Sequence, residues 1–196
     1  MSRGLIALLF GLAGFAAQAQ QALPANGLFL IAKPTLADPN FEKTVVLVTQ
    51  TEDASTVGVV INRPTAMKLS QFLSPEMPTE NYRGPIFSGG PVMRQVMIAL
   101  YRSDAVPEAA AFHVLKDVYL TMHPDNIAKL LADPKARYRL YAGFSGWAPR
   151  QLESEFVRDG WYILPADEPT LFRDNVDGLW EELVEKALRS DPKGRS

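Results

Sequence analysis

The stretch TVVLVTQTEDASTVGVVINRP, residues 44–64, decides the fold class of this chain. Its two runs rich in valine and isoleucine, residues 44–50 and 56–64, favour β-strands because β-branched side chains suit an extended backbone. The polar link formed by residues 51–55 predicts a hairpin connection. Neither run alternates apolar with polar residues, so we expect both faces of these strands to be covered.

Further short strands surround this hairpin, and a few helices interrupt them. Apolar or alternating runs predict strands at residues 27–34, 85–92, 96–101, 137–143 and 161–165, and a second hairpin at 111–122. Helical spacing and proline positions predict helices at 68–74, from Pro124 to before Pro134, from Pro149 to before Gly160, and at 176–189. Because strands and helices do not alternate regularly, we expect an α+β fold. Its mostly antiparallel, curved sheet would carry helices on the outside.

Length and composition limit the possible classes of protein. The chain has 196 residues, of which 47% are hydrophobic, which is enough to fill the core of a single domain, predicted over residues 20–189. The net charge is -2, with acidic and basic residues mixed along the chain. Since nucleic-acid binding favours a basic face, we expect no nucleic-acid partner.

The N-terminus has the pattern of a secretory signal peptide. A basic start with Arg3 precedes the apolar run 5–17, and Ala17 and Ala19 supply a small-x-small cleavage site. We therefore predict a signal peptide over residues 1–19, cleaved after Ala19, and a periplasmic or secreted protein; an uncut anchor is the alternative. The run is shorter than the roughly 20 residues of a spanning helix, so no stable membrane span is expected. Residues 190–196 are predicted to be a polar tail.

The sequence GFSGWAPRQLESEF, residues 143–156, is the main candidate for chemistry. A serine between glycines after a strand resembles a nucleophile elbow, but Trp147 stands where that motif needs glycine, and both histidines precede Ser145. A serine without an activating base is a weak nucleophile. A hydrolase using Ser145, with His113 or His123 brought near by folding, is therefore the alternative to an architectural role.

The architectural interpretation accounts for more of the same stretch. Gly143 and Gly146 permit a tight corner between strand and helix, and Trp147 can bury a large ring if its N–H finds a partner. Gln151 and Glu153, early in the helix, could bond loop amides. We therefore predict a rigid, well-packed corner here and no catalytic residues.

The remaining motifs give equally little chemistry. The SGGP sequence at 88–91 predicts a turn rather than a phosphate cradle, because no lysine completes a P-loop. Arg63, at the end of a strand, could clamp a carboxylate or phosphate, or could cap the strand end. Two isolated histidines and no cysteine are a poor basis for a metal site, and no cofactor is expected.

Taken together, the motifs resemble the YqgE/AlgH family, an uncharacterised family (UPF0301) that shares the DUF179 domain. The resemblance rests on GLFLIAKPTLADPNFEKTVVLV, GVVINRP, SGGPV, GFSGWAPRQLESEF with Trp161, and LFRDNVDGLWEELVEKAL, in this order from about Gly27 to Leu188. It implies a bifurcated sheet rolled into a partial barrel and flanked by helices, no established enzymatic activity, and in one branch a regulatory link to alginate production. The motif positions are Asn62, Arg63, Pro64, Gly89, Gly90, Pro91, Gly146, Trp147, Gln151, Leu152 and Glu153.

The chain departs from the family pattern at several positions. Arg150 replaces the usual glycine before Gln-Leu-Glu, Thr51 replaces a usual histidine, and residues 96–101 lack an arginine and a histidine. Most members resemble cytosolic proteins, whereas this chain begins with a predicted export signal. We interpret it as a diverged, exported branch.

The sequence therefore predicts a non-enzymatic binding or regulatory protein of the bacterial envelope, with an unknown protein or small molecule as its partner. A structural subunit is a third hypothesis beside the hydrolase. The predicted ligand or partner face is formed by Asn62, Arg63, Gly89, Gly90, Trp147, Gln151 and Glu153.

Overall fold

The computed structural model of the protein describes residues 27–190, so the predicted signal peptide and residues 191–196 of the predicted tail lie outside the described residues. Within this range there are ten strands and four α-helices. The strands are β1 Leu28–Ala32, β2 Val45–Gln50, β3 Thr56–Val60, β4 Pro64–Thr65, β5 Ile86–Ser88, β6 Val92–Arg102, β7 Phe112–Leu115, β8 Val118–Thr121, β9 Tyr138–Trp147 and β10 Trp161–Pro165. The helices are α1 Pro124–Ala132, α2 Gln151–Val157, α3 Glu168–Leu171 and α4 Leu179–Ser190, and Leu69–Gln71 forms a 3-10 turn.

The sheet is mostly antiparallel and branches at β9. Its strands lie in the order β10, β1, β2, β3, β9, β6, β8, β7. One edge of β9 pairs with β6, whereas the other edge pairs first with β5, in parallel from Leu140 to Ala142, and then with β3, from Ser145 to Trp147. Strand β4 adds to β5 on this side branch. The predicted α+β class with a bifurcated, mostly antiparallel sheet is confirmed.

The two ends of the sheet curl toward each other. The N–H of Gly27, just before β1, donates to Val114 O in β7 at 2.9 Å. The Thr49 hydroxyl in β2 donates to His113 O at 3.2 Å. These bonds bring the last strand of the sheet against the first ones, so the sheet forms a partial barrel.

Both faces of the central strands are buried, as the uninterrupted valine runs predict. On β2, Val45 and Leu47 point into the central cluster that fills the barrel, whereas Val46 and Val48 point into an outer cluster beneath α2. The second outer cluster lies between β6, β9 and α1. Helix α4 covers the central cluster with residues one turn apart, Leu179, Leu183 and Ala187. Burying one leucine side chain in this way stabilises the fold by roughly 1.5–3 kcal/mol.

The predicted corner at residues 143–146 is wrong, because β9 continues through it to Trp147. Gly143 has φ +71°, and opposite it the register of β6 jumps from Val92 to Met97. This irregularity lets β9 pass from β5 to a new partner, β3, without ending. The chain turns only after Trp147, and α2 begins at Gln151 rather than at Pro149.

Other boundaries differ by less. The predicted helix at 68–74 is a single 3-10 turn, and the predicted strand at 96–101 is part of the longer β6. The second hairpin, the helix from Pro124 and the strand from Trp161 are where the sequence predicts them.

Arg150 lies in a strained backbone conformation just before α2. Its φ is +66°, in the left-handed region that costs a side chain-bearing residue about 1–2 kcal/mol, and it stands at the position where the resembled family usually has glycine. We expect Arg150→Gly to raise the free energy of unfolding by up to about 1 kcal/mol, since the greater freedom of glycine in the unfolded chain offsets part of the relief. Urea denaturation measures this difference; a loss of stability would contradict it.

Candidate functional site

Two polar residues of the predicted face, Asn62 and Arg63, are engaged in the fold. Asn62 accepts a hydrogen bond from the Val45 N–H at 2.9 Å and donates to a carbonyl of the loop 40–43 at 3.0 Å. Arg63 donates to two other carbonyls of this loop, at 2.6 and 2.8 Å. Partial burial lowers the pKa of Arg63, and acidic residues near the loop oppose that change. Asn62 and Arg63 therefore hold the loop 40–43 against the sheet.

That loop carries Phe41 onto a pair of tryptophans. The Phe41 ring stacks on Trp147 with centroids 5.8 Å apart and meets Trp161 edge-on at 5.4 Å. Both indole N–H groups donate to the carboxylate of Glu155 in α2, at 3.1 Å. We call these four residues the tryptophan–glutamate cluster. Because Arg63 holds the loop that carries Phe41, the cluster connects Arg63 to Trp147 through partly buried contacts.

Glu155, rather than Glu153, supplies the partner that a buried tryptophan needs. Glu153 is exposed near the start of α2. Gln151 accepts a hydrogen bond from the Ala148 N–H at 3.2 Å, which is the predicted bond to a loop amide. The sequence predicts that the Trp147 indole N–H needs a hydrogen-bond acceptor. It does not predict which of the three nearby acidic residues supplies it.

The two glycines of the SGGP sequence allow close contact with β9. The Gly89 N–H donates to Ala142 O at 2.9 Å, and Gly89 O accepts from the Val60 N–H at 2.8 Å. A Cβ on Gly90 would lie 2.3 Å from Phe144 O. The backbone groups of Gly89 are thus paired within the sheet, as expected for a structural turn.

Ser145 does not have the environment of a nucleophile. It is fully buried, and its hydroxyl donates to Gly89 O at 3.3 Å. The His113 ring donates through Nε2 to Lys116 O at 3.0 Å, and His123 Nδ1 accepts the Asp125 N–H at 3.3 Å, capping α1. Neither imidazole is oriented by the contacts expected of a base for Ser145, so the geometry gives the hydrolase hypothesis no support.

Residues 27–190 contain neither a candidate metal cluster nor a helix suited to span a membrane. In this part of the chain, no three or more histidine or acidic side chains are grouped so that they could hold a metal ion. Nor does any helix there combine the length and the apolar character that a membrane crossing needs.

A cavity of about 750 Å³ opens at one end of the partial barrel, and we call it the mouth cavity. Its floor is apolar: Phe112, Met122 and Phe144 pack against the central cluster, and Val57 lies two residues before Val59 on the inward face of β3. The hairpin turn between β2 and β3 forms one rim, and Trp147, which pairs with Thr56 directly after this turn, lines the cavity beside it. The floor of the cavity is thus an exposed end of the barrel core.

The ionisable groups at this cavity are two acids and one histidine. Asp53 accepts hydrogen bonds from the Thr51 hydroxyl at 2.5 Å and from the Ser55 N–H at 3.2 Å, which lowers the pKa of Asp53. Glu52 is the second acid and is exposed. Within residues 27–190 neither carboxylate pairs with a basic side chain. The rim therefore carries the negative charge of these two carboxylates.

This arrangement suits a small molecule with an apolar body and a polar end. Cavities of roughly 300–1,000 Å³ with an apolar lining and a few polar groups are typical ligand sites. Of the residues predicted to form a face, Trp147 lines the mouth cavity, beside the motif residue Gly146. The others are placed elsewhere, and whether they form a second binding face stays a prediction.

Comparison with known proteins identifies a family. A UPF0301 protein of Streptomyces avermitilis is 32% identical over 169 residues, which cover 82% of this chain and 86% of the relative. A UPF0301 protein of Rhizobium etli is 33% identical over 171 residues, covering 81% and 84%.

Solved structures agree with this assignment. The solution structure of the AlgH protein from Pseudomonas aeruginosa has a TM-score of 0.67 and 28% identity, covering 87% of this chain and 92% of that one. A crystal structure of a Corynebacterium diphtheriae protein has a TM-score of 0.64 at 20% identity, covering 83% and 87%, and shares the fold. The family model described as AlgH-like (DUF179) matches residues 29–190. This chain therefore belongs to the uncharacterised AlgH-like family.

Proposed function

We propose that the protein is a non-enzymatic binding or regulatory protein of the bacterial cell envelope, and that the mouth cavity is its ligand site. One observation carries this proposal: a cavity of about 750 Å³ whose floor is the exposed end of the barrel core. A concave site of this volume with a mostly apolar lining is the default candidate for a ligand site.

The cavity lining indicates what kind of ligand it would take. The body of the ligand would lie against Val57, Met122 and Phe144, where each buried CH₂ group contributes about 0.8 kcal/mol. Its polar end would face the hairpin rim. Because Glu52 and Asp53 are negative and lack basic partners, the rim favours a neutral or cationic end over an anionic one.

A regulatory role is compatible with this placement. The hairpin turn at residues 51–55 is both the rim of the cavity and an exposed feature of the surface. A ligand bound in the cavity would contact the rim and so change the surface of the hairpin turn that a protein partner contacts from outside. This would couple small-molecule binding to partner binding.

The envelope location rests on the export pattern of residues 1–19. N-terminal sequencing of the protein isolated from its own organism is expected to begin at Gln20. An intact N-terminus at Met1 would contradict the cleavage.

Binding is tested with the neutral apolar fluorophore N-phenyl-1-naphthylamine, whose emission rises in an apolar site. We expect saturable binding by the full chain, and at least about tenfold weaker binding in Gly146→Leu. The leucine side chain would lie beside the Phe144 ring at the cavity wall, because a Cβ on Gly146 would lie 3.3 Å from that ring.

Ala132→Leu is the control for this experiment. Ala132 is exposed at the end of α1 and lies outside the mouth cavity. The Ala132→Leu variant should therefore bind the fluorophore with an affinity within about twofold of that of the unsubstituted chain, since surface changes away from a site have small effects. Equal affinity in Gly146→Leu and Ala132→Leu would refute the assignment of the cavity.

A further inference from the structure

A second, smaller cavity of about 290 Å³ lies where β5 runs beside β9. The loop 81–85 forms one wall, and Phe172 and Asp174, which follow α3, form another. Three arginines line it, Arg83, Arg137 and Arg139. It shares no lining residue with the mouth cavity.

Arg139 is fixed in position but incompletely satisfied. Its Nη2 donates to Arg173 O, and its guanidinium carbon lies 5.1 Å from the Phe87 ring centroid. Its Nη1, however, is buried and has no hydrogen-bond partner. A buried guanidinium donor without an acceptor costs more than a neutral one, so this atom favours an acceptor oxygen beside it.

A second unpartnered donor lies on the same face of β9. Tyr141 follows Arg139 by two residues, is fully buried, and its hydroxyl has no hydrogen-bond partner. Burial raises the pKa of Tyr141, and the nearby Arg139 guanidinium only partly opposes this, so the phenol keeps its proton. Arg139 Nη1 and the neighbouring Tyr141 hydroxyl are thus two buried polar groups without a well-formed hydrogen bond.

The other charged side chains around the cavity determine its net charge. Arg83 is exposed and makes no ion pair or hydrogen bond within the described chain. Arg137 is held by Glu168, with Nη1 3.3 Å from the carboxylate, and lies over Phe172. Asp174 is the one carboxylate among the lining residues of this cavity and opposes one positive charge. Arg83 and Arg139 together therefore leave an excess of positive charge at the cavity.

We propose that this cavity binds a small oxyanion, a carboxylate or a phosphate group, with Arg83 and Arg139 as its cationic ligands. The planar guanidinium fork matches the oxygens of either group. The cavity has room for one such group and a few further atoms. The site is independent of the mouth cavity, and its ligand has the opposite charge preference.

The test follows backbone amide and arginine Nε–H resonances of the full chain by NMR. Inorganic phosphate and acetate are titrated separately in chloride buffer at constant ionic strength. We expect saturable shifts confined to residues 81–85 and 137–139 with at least one of the two anions. The anion that binds more tightly identifies the preferred oxyanion. Absence of a saturable response to both would overturn the proposal.

Two substitutions that each remove one positive charge distinguish binding at this site from a general effect of net charge. Arg83→Gln should weaken binding of the responding anion about tenfold or more, because it removes a charge-assisted hydrogen-bond donor. Arg158→Gln removes an exposed arginine near α2, outside this cavity, and should change the affinity less than twofold. Equal weakening by both would contradict the proposed site. Since Arg83 has no partner in the fold, its substitution leaves folding intact.

Discussion

Gly90→Ala is expected to lower the free energy of unfolding by at least about 3 kcal/mol, which is a large effect for one methyl group. Gly90 has φ +153°, where side chains are rarely accommodated. The added Cβ would lie 2.3 Å from Phe144 O and 2.4 Å from the Ser145 hydroxyl oxygen. These atoms belong to β9 at the branch of the sheet, so the clash cannot be relieved by moving a flexible side chain.

Gly178→Ala is the matched control for this prediction. Gly178 also has a positive φ, +69°, but no atom lies within 4 Å of the position of an added Cβ. Gly178→Ala should therefore lower the free energy of unfolding only by the cost of placing a side chain-bearing residue at positive φ, about 1 kcal/mol. Urea denaturation of the two variants separates conformational preference from close contact. Similar losses in both would show that the contact at β9 has no special role.

Glu155→Ala is expected to cost about 3 kcal/mol, because it leaves two indole N–H groups without an acceptor. Trp147 and Trp161 are only 3% and 6% exposed, and both donate to Glu155. An unsatisfied buried donor costs about 1–3 kcal/mol. The loss should be accompanied by a change in near-ultraviolet circular dichroism, which reports on tryptophan packing.

Glu153→Ala and Glu155→Gln complete this test. Glu153 is exposed on the same helix, so its removal should change stability by no more than about 0.5 kcal/mol. Glu155→Gln keeps one acceptor oxygen and should fall between the two alanine variants. If Glu153→Ala and Glu155→Ala lose the same stability, the tryptophan–glutamate cluster does not anchor α2.

Much of the fold could be predicted from the sequence because its core has strong local signals. The valine runs in β2 and β3 show no alternation, and the structure buries Val45 on one face and Val46 on the other. Proline at the start of α1 and the four-residue spacing of Leu179 and Leu183 in α4 also fix element types locally. Such signals do not require knowledge of distant residues.

The error at residues 143–147 has a non-local cause. A glycine after an alternating strand predicts a turn when only neighbours in the chain are considered. Here Gly143 absorbs a register shift against β6, and the next residues find β3 as a partner. The residues near Gly143 in the sequence do not indicate that β3, more than 80 residues earlier, would lie beside this part of β9.

The candidate site was predictable only in part for the same reason. The mouth cavity is lined from the β2–β3 turn, from β7 and the end of β8, and from β9, and no motif joins these segments. Arg63, for which an anion clamp and a cap of the strand end were both open, donates to the carbonyls of Asn40 and Glu42. The orphan donors at Arg139 and Tyr141 become visible only when β9 is placed against the barrel interior.

A crystal structure of the protein with N-phenyl-1-naphthylamine tests most directly whether the mouth cavity is the ligand site. We expect the fluorophore to lie inside the cavity, with its rings against Val57, Met122 and Phe144 and its edge toward the rim. A fluorophore bound elsewhere while this cavity stays empty would show that the mouth cavity is not the ligand site.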